Sequence, residues 1–126
     1  MNDSGSIFLI VDDEPDMCWA LQHILEDRGF LSRIASNALD ALRLMESGKF
    51  RLAFLDAKLP DMEGLELARR IREVAPATLI VMVSGYFYKD DLAIQKAFED
   101  GLITGFISKP FLNDEILQEV QRITSS

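Results

Sequence analysis

Cysteine is almost missing from this 126-residue chain: Cys18 stands alone, so no intrachain disulfide can form. A reducing, cytoplasmic setting is expected. Long apolar runs are missing too, and none approaches the ~18 residues of a membrane span. The opening Met1-Asn2-Asp3-Ser4-Gly5-Ser6 has neither a basic nor an apolar stretch. It does not read as a secretory signal. There is no Gly-rich loop of the kind that cradles a nucleotide, and only one histidine, His23. Base is scarce relative to acid, with 13 Lys and Arg against 21 Asp and Glu, and the net charge is −8. Such a surface repels phosphate backbones and anionic lipid, so neither direct nucleic-acid binding nor membrane binding is expected.

The length fits one domain, 1–126, with an ordered core of about 6–123. Short apolar runs alternate with segments of helical period. Ile7–Val11, Leu52–Leu55 and Leu79–Val83 have no polar interruption, as expected of strands buried on both faces. Leu31–Ala35 is a weaker strand, and Phe106-Ile107 a short last one. Between them, Met17, Leu21, Ile24 and Leu25 mark a first helix that Pro15 and Gly29 punctuate. Leu39, Leu42 and Met45 mark a second; Leu65, Ala68, Ile71 and Arg72 mark a third, ended by Pro76. Leu92–Phe98 is a fourth. In the fifth, Asn113 is expected to cap and Leu112 to staple onto Leu117. This β-α order, repeated five times, predicts an α/β fold: a doubly wound parallel five-stranded sheet, flavodoxin-like, in order 2-1-3-4-5. Ligands in that architecture bind beyond the carboxyl ends of the strands.

The reactive residues gather at those ends. The first strand runs into Asp12-Asp13-Glu14, the third ends in Asp56, the fourth in Ser84-Gly85, and the fifth leads to Lys109-Pro110. At ~4 Å and an effective dielectric of ~20, each like-charged pair costs about 4 kcal/mol. Asp12, Asp13 and Asp56 therefore need protons or a bound cation. A few hard oxygen ligands open to water suit Mg²⁺, and no His or Cys stands there to suit zinc. Taken singly, the two acids read equally as helix caps, Ser84 as a turn hydroxyl and Lys109 as a surface lysine. Convergence is what favours a site.

With Leu9-Ile-Val-Asp-Asp-Glu14, Leu55-Asp-Ala-Lys-Leu-Pro-Asp-Met-Glu-Gly64, Val83-Ser-Gly85 and Ile107-Ser-Lys-Pro-Phe111 in this order, the chain resembles the receiver domain of two-component response regulators. The resemblance implies a phosphorylation-activated switch that takes a phosphoryl group on Asp56, with Mg²⁺, from a histidine kinase or histidine phosphotransfer protein. It implies Asp13 and Asp56 as direct metal ligands, Asp12 as a ligand through water, and Lys58 as a ligand through its carbonyl. Ser84 and Lys109 correspond to the groups on the phosphoryl oxygens, Phe106 to an aromatic switch, and Lys109-Pro110 to a cis bond. Partner binding or homodimerisation is expected at helix 4, strand 5 and helix 5. No enzymatic turnover is implied beyond self-phosphorylation and self-dephosphorylation. The stretch between Ser84 and Lys109 is longer than the family's usual. Lys58 and Tyr86 hold the positions that tune phosphoryl loss, and Tyr86 is expected on one side of the water path with Lys58 on the other.

Two other functions compete. A phosphorylation-independent interaction module would not need the full acid set with Ser84 and Lys109. A Mg²⁺-dependent phosphohydrolase of the haloacid-dehalogenase type needs an acid two residues after the nucleophile, where this chain has Lys58. His23, on the first helix, reads as a surface histidine, and Trp19 and Cys18 as packing residues.

Overall fold

The computed structural model describes residues 7–124. Met1–Ser6, read above as no leader, lies outside them, as does Ser6 at the edge of the expected core. Ten elements alternate: β1 (Ile7–Val11), α1 (Pro15–Glu26), β2 (Leu31–Ala35), α2 (Ala38–Ser47), β3 (Leu52–Asp56), α3 (Gly64–Val74), β4 (Leu79–Ser84), α4 (Leu92–Glu99), β5 (Gly105–Ser108) and α5 (Asn113–Thr124). All pairings within the sheet are parallel and the order is β2-β1-β3-β4-β5. This is the flavodoxin-like fold that the alternation predicts. Among the described residues no helix is long and apolar enough to cross a membrane.

The uninterrupted apolar strands feed two cores at once. Successive side chains point to opposite faces. Leu9, Val11, Leu55 and Met82 therefore pack with α2, α3 and α4, while Phe8, Ile10, Phe54 and Val83 pack with α1 and α5. At about 25 cal/mol per Å² of apolar surface, this two-sided burial is the main stabilising term. β2 is one of the two edge strands, and Leu31 and Ile34 stay exposed, which explains its weak apolar signal.

The helix ends are set locally. Gly29 and Gly101 take positive φ, 83° and 72°, after α1 and α4, a conformation that glycine adopts without cost. The Arg72 guanidinium reaches from α3 to the carbonyls of Pro76, Gly101 and Leu102. Three expectations fail. Asn113 does not cap α5; it is the first helical residue. Leu112 stands at the cap, its N–H donating to Glu115 Oε1 at 2.7 Å. Glu115, three residues on, supplies the charged acceptor of a capping box. Leu112 remains 72% exposed rather than stapled onto Leu117. Trp19 is not a packing residue either. Cys18, Leu21 and Leu25 take the buried stripe of α1, and Trp19, about 100° away, lies 61% exposed and stacks on His23 at 4.2 Å.

Candidate functional site

Parallel strands in register bring their carboxyl ends to one edge, and side chains that follow those ends must meet there. β1 delivers Asp12 and Asp13, β3 Asp56, β4 Ser84, and the turn after β5 Lys109. Carboxylate oxygens of Asp12, Asp13 and Asp56 lie within 4.8 Å of one another. Asp12 is buried and Asp13 exposed, so the cluster has a dry side and a wet side.

Asp12 is held on both oxygens. Oδ1 accepts from the Glu14 N–H at 2.9 Å, and Oδ2 takes the Lys109 ammonium at 2.8 Å. The same Nζ lies 3.5 Å from Asp56 Oδ1 and 3.5 Å from Glu14 Oε1. Burial pushes the Asp56 carboxyl above its ordinary range, and the Asp12 charge adds to that; Lys109 only partly offsets them. Burial alone would lower the Lys109 ammonium, but its bond to Asp12 and the charges of Asp12, Asp56 and Glu14 hold it above its usual value. Cys18, whose thiol donates to the Asp12 carbonyl at 3.2 Å, is pushed up to about 11, first by burial and then by Asp12. One ammonium does not balance the clustered aspartates, and Glu14 adds a further negative charge at the rim, so the site favours a cation. The donors are all hard oxygens, so the residues present fit Mg²⁺.

Ser84 is fully buried, and its Oγ accepts from the Tyr86 N–H at 2.8 Å and the Phe87 N–H at 2.9 Å. Its own proton is thus left for another oxygen. The Lys109 N–H donates to the Ser84 carbonyl at 2.9 Å, tying β5's end to β4's. The Lys109-Pro110 bond is cis. Phe106 is buried in the same cluster as Ile94 and Ala97 of α4, and lines a shallow hollow with Phe98 and Thr104. Lys58 corrects an expectation: its Nζ does not cover the side opposite Tyr86 but sits 4.3 Å over the Tyr86 ring, and 3.5 Å from Glu63 Oε2. A cation gains from the face of an aromatic ring, and that attraction draws the two together.

Three contributors escaped the sequence reading as individuals. Glu14 joins the Lys109 contacts; its place beside the acid pair was the available signal. Gly64 lets α3 start against the end of β3: a Cβ there would overlap the Asp56 carbonyl oxygen and lie 2.8 Å from Ala57 Cα. Asp61 binds α2, 23 residues away, and no local pattern announces it.

A profile of the response regulator receiver domain matches residues 8–121. Sporulation initiation phosphotransferase F of Bacillus subtilis is 32% identical over 114 residues, covering 90% of this chain and 90% of that protein. Other curated relatives are longer, and the chain spans 28%, 26% and 23% of three of them. Among solved structures, a CheY-like receiver domain protein from Methanospirillum hungatei superimposes with TM-score 0.85 at 31% identity, covering 94% of this chain and 92% of that one. The response regulator TrrA from Thermotoga maritima, solved in complex with Mg²⁺-BeF, gives 0.81 at 28%, covering 94% and 98%. With the strand-end acids, the buried serine and the lysine all converging in this order, the chain belongs to the response regulator receiver domain family of two-component systems.

Proposed function

We propose that this domain is a phosphorylation-activated signalling switch, with Asp56 as acceptor and a histidine kinase or histidine phosphotransfer protein as donor. The observation that carries the reading is the cluster of Asp12, Asp13 and Asp56 within 4.8 Å, bridged by Lys109. An Asp56 oxygen attacks phosphorus; the bond from phosphorus to the donor's leaving atom breaks, and its electron pair departs with that atom. Such transfer needs positioning and charge neutralisation more than covalent help. Mg²⁺, when bound, neutralises equatorial oxygens of the phosphoryl group. Asp13, Asp56 and the Lys58 carbonyl would hold it, with Asp12 acting through water. The Lys109 ammonium turns toward the phosphoryl oxygens and offsets their charge through hydrogen bonds, and the Ser84 hydroxyl donates a hydrogen bond to one of them.

That donation draws Ser84 Oγ away from the amides of Tyr86 and Phe87. The β4–α4 loop then rearranges, and Phe106 with it. The altered face is α4–β5–α5, the surface for a partner or a second copy. Turnover of a phosphate substrate is disfavoured, because Lys58 stands where a phosphohydrolase needs an acid. A reducing, cytoplasmic setting suits the single buried Cys18.

The test is treatment with acetyl phosphate and Mg²⁺ followed by intact mass. One phosphoryl group is expected on the wild-type protein and none on Asp56→Asn. Full, lasting phosphorylation of Asp56→Asn would sink the assignment.

A further inference from the structure

The loop between β3 and α3 is a closed hairpin. The Gly64 N–H donates to the Ala57 carbonyl at 2.8 Å, and the Leu59 N–H to Met62 at 3.2 Å. Lys58 and Glu63 pair as an isolated antiparallel bridge. The hairpin's root is Asp56 itself; its tip, Asp61, leaves the loop and reaches α2. Asp61 Oδ1 accepts from the Ala38 N–H at 2.9 Å, and Oδ2 from the Leu39 N–H at 3.0 Å.

Those amides are among the donors that every helix start leaves without an intrahelical partner. Asn37, the cap of α2, takes only the Asp40 N–H, at 2.8 Å. Ala38 is fully buried, so its N–H has strong need of an acceptor. Asp61 supplies it with a charged group at the positive end of the helix. These are the two hydrogen bonds that join the hairpin tip to α2 among the described residues. They do more for the hairpin than for the helix. α2 is packed into the core through buried Ala38, Ala41 and Met45; the hairpin meets that core through partly buried Leu59 and Met62, and Lys58, Pro60 and Asp61 are exposed.

We propose that Asp61 is a positioning residue for the acceptor site: through its two bonds to α2 it holds the hairpin so that the Lys58 peptide faces the Asp13–Asp56 edge. The inference rests on the function proposed above, since it gives the Lys58 carbonyl a cation to meet. A residue that orients a metal ligand changes affinity for the ion without touching it.

The experiment compares Asp61→Ala, Asp61→Asn and Asn37→Ala with wild type. Asn37→Ala removes the other cap of the same helix start, so it carries a like loss of helix stability and leaves the hairpin tip in place. Mg²⁺ titration by calorimetry should show a loss of roughly tenfold in Asp61→Ala. Asp61→Asn, which keeps one acceptor oxygen, should fall between, and Asn37→Ala should match wild type. Phosphoryl uptake from acetyl phosphate should slow in Asp61→Ala at low Mg²⁺ and recover at saturating Mg²⁺. Equal Mg²⁺ affinity in Asp61→Ala and wild type overturns the inference. So does a loss in Asn37→Ala as large as that in Asp61→Ala, which would mark a general loss of stability. Amide exchange of residues 57–63 without any cation separates the two proposals. Faster exchange there in Asp61→Ala supports the positioning role; unchanged protection overturns it, whatever the cation does. A wild-type protein that binds no Mg²⁺ overturns the proposed function instead.

Discussion

The amino end of the sheet holds the larger hollow and the carboxyl end holds the clustered charge. About 520 Å³ opens beside the starts of β3 and β4, among Met45, Phe50, Val74 and Thr78. Its buried polar group is already matched: the Thr78 hydroxyl donates to the Phe50 carbonyl at 2.7 Å. The hollow next to Asp12 and Asp13 is smaller, about 340 Å³. Beside it the charges are unmatched: the Lys109 ammonium meets Asp12, Glu14 and Asp56, and Asp13 stands within 4.8 Å of the other two aspartates. Volume therefore ranks the two ends one way and electrostatics the other. Unbalanced charge at strand ends is the better guide, because it costs free energy that a purely structural region would not retain.

The sharpest way to break this contrast is to add one methyl group at each end. Gly64→Ala places a Cβ against the Asp56 carbonyl and Ala57 Cα, where backbone cannot yield. A loss of about 3 kcal/mol is expected in urea unfolding. Gly48→Ala, at the amino end, meets only ordinary contacts from 3.6 Å in an extended backbone of φ −144°. It should be neutral or stabilise by up to about 1 kcal/mol. Equal losses at both ends would erase the distinction.

A smaller effect follows from the charge itself. The Asp56 carboxyl is raised in the folded state, first by burial and then by Asp12. The folded protein thus holds that proton more tightly than the unfolded chain does. Its contribution is most favourable below the ordinary carboxyl range of about 4 and declines as pH climbs through the raised value. Asp56→Asn should remove this decline and, without divalent cation, raise stability at neutral pH by about 1 kcal/mol, a few degrees in Tm. Thermal melts of both proteins from pH 4 to 8 in EDTA check it; parallel curves would contradict the raised value. Lys109 acts in a different window, since its raised value lends stability that is lost only at alkaline pH.

The smallest effect lies at the mouth of the site. Lys58 over the Tyr86 ring is an exposed pairing, of the kind worth about 0.5–1 kcal/mol. If the pair restricts water in line with phosphorus, Tyr86→Ala should shorten the phosphoryl lifetime by roughly twofold to fivefold. Decay followed by intact mass would show it, and a wild-type lifetime would dismiss the shielding role.

How much of this was legible beforehand depended on the range of each interaction. Strands buried on both faces announce themselves as Ile7–Val11, Leu52–Leu55 and Leu79–Val83, and their ends point directly to Asp12, Asp56 and Ser84. Sheet order then brings those ends together, so the acid cluster could be anticipated from alternation alone. Contacts that depend on side-chain direction could not. Asp61 and Ala38 lie 23 residues apart, and an acid in a loop is ordinary until its partner amides are known. Trp19 shares a helix with buried residues and differs from them only by its angle around the axis. Spacing puts Lys58 and Tyr86 each near Asp56, but their mutual attraction decides on which side. Asn113 gave way to Leu112 because Glu115 supplied the reciprocal bond.

One oxygen shapes the loop after β4, since Ser84 Oγ receives both the Tyr86 and the Phe87 amide. Serine carries nothing else on its Cβ. Any rotation about χ1 that re-aims the hydroxyl therefore moves no methyl group through the packed strand end, as it would in a β-branched residue. The resistance to rearrangement lies in finding new acceptors for two amides, which the exposed loop can meet with water. A threonine there would add steric stiffness to any such rotation, so the identity of one buried side chain sets its rotamer freedom.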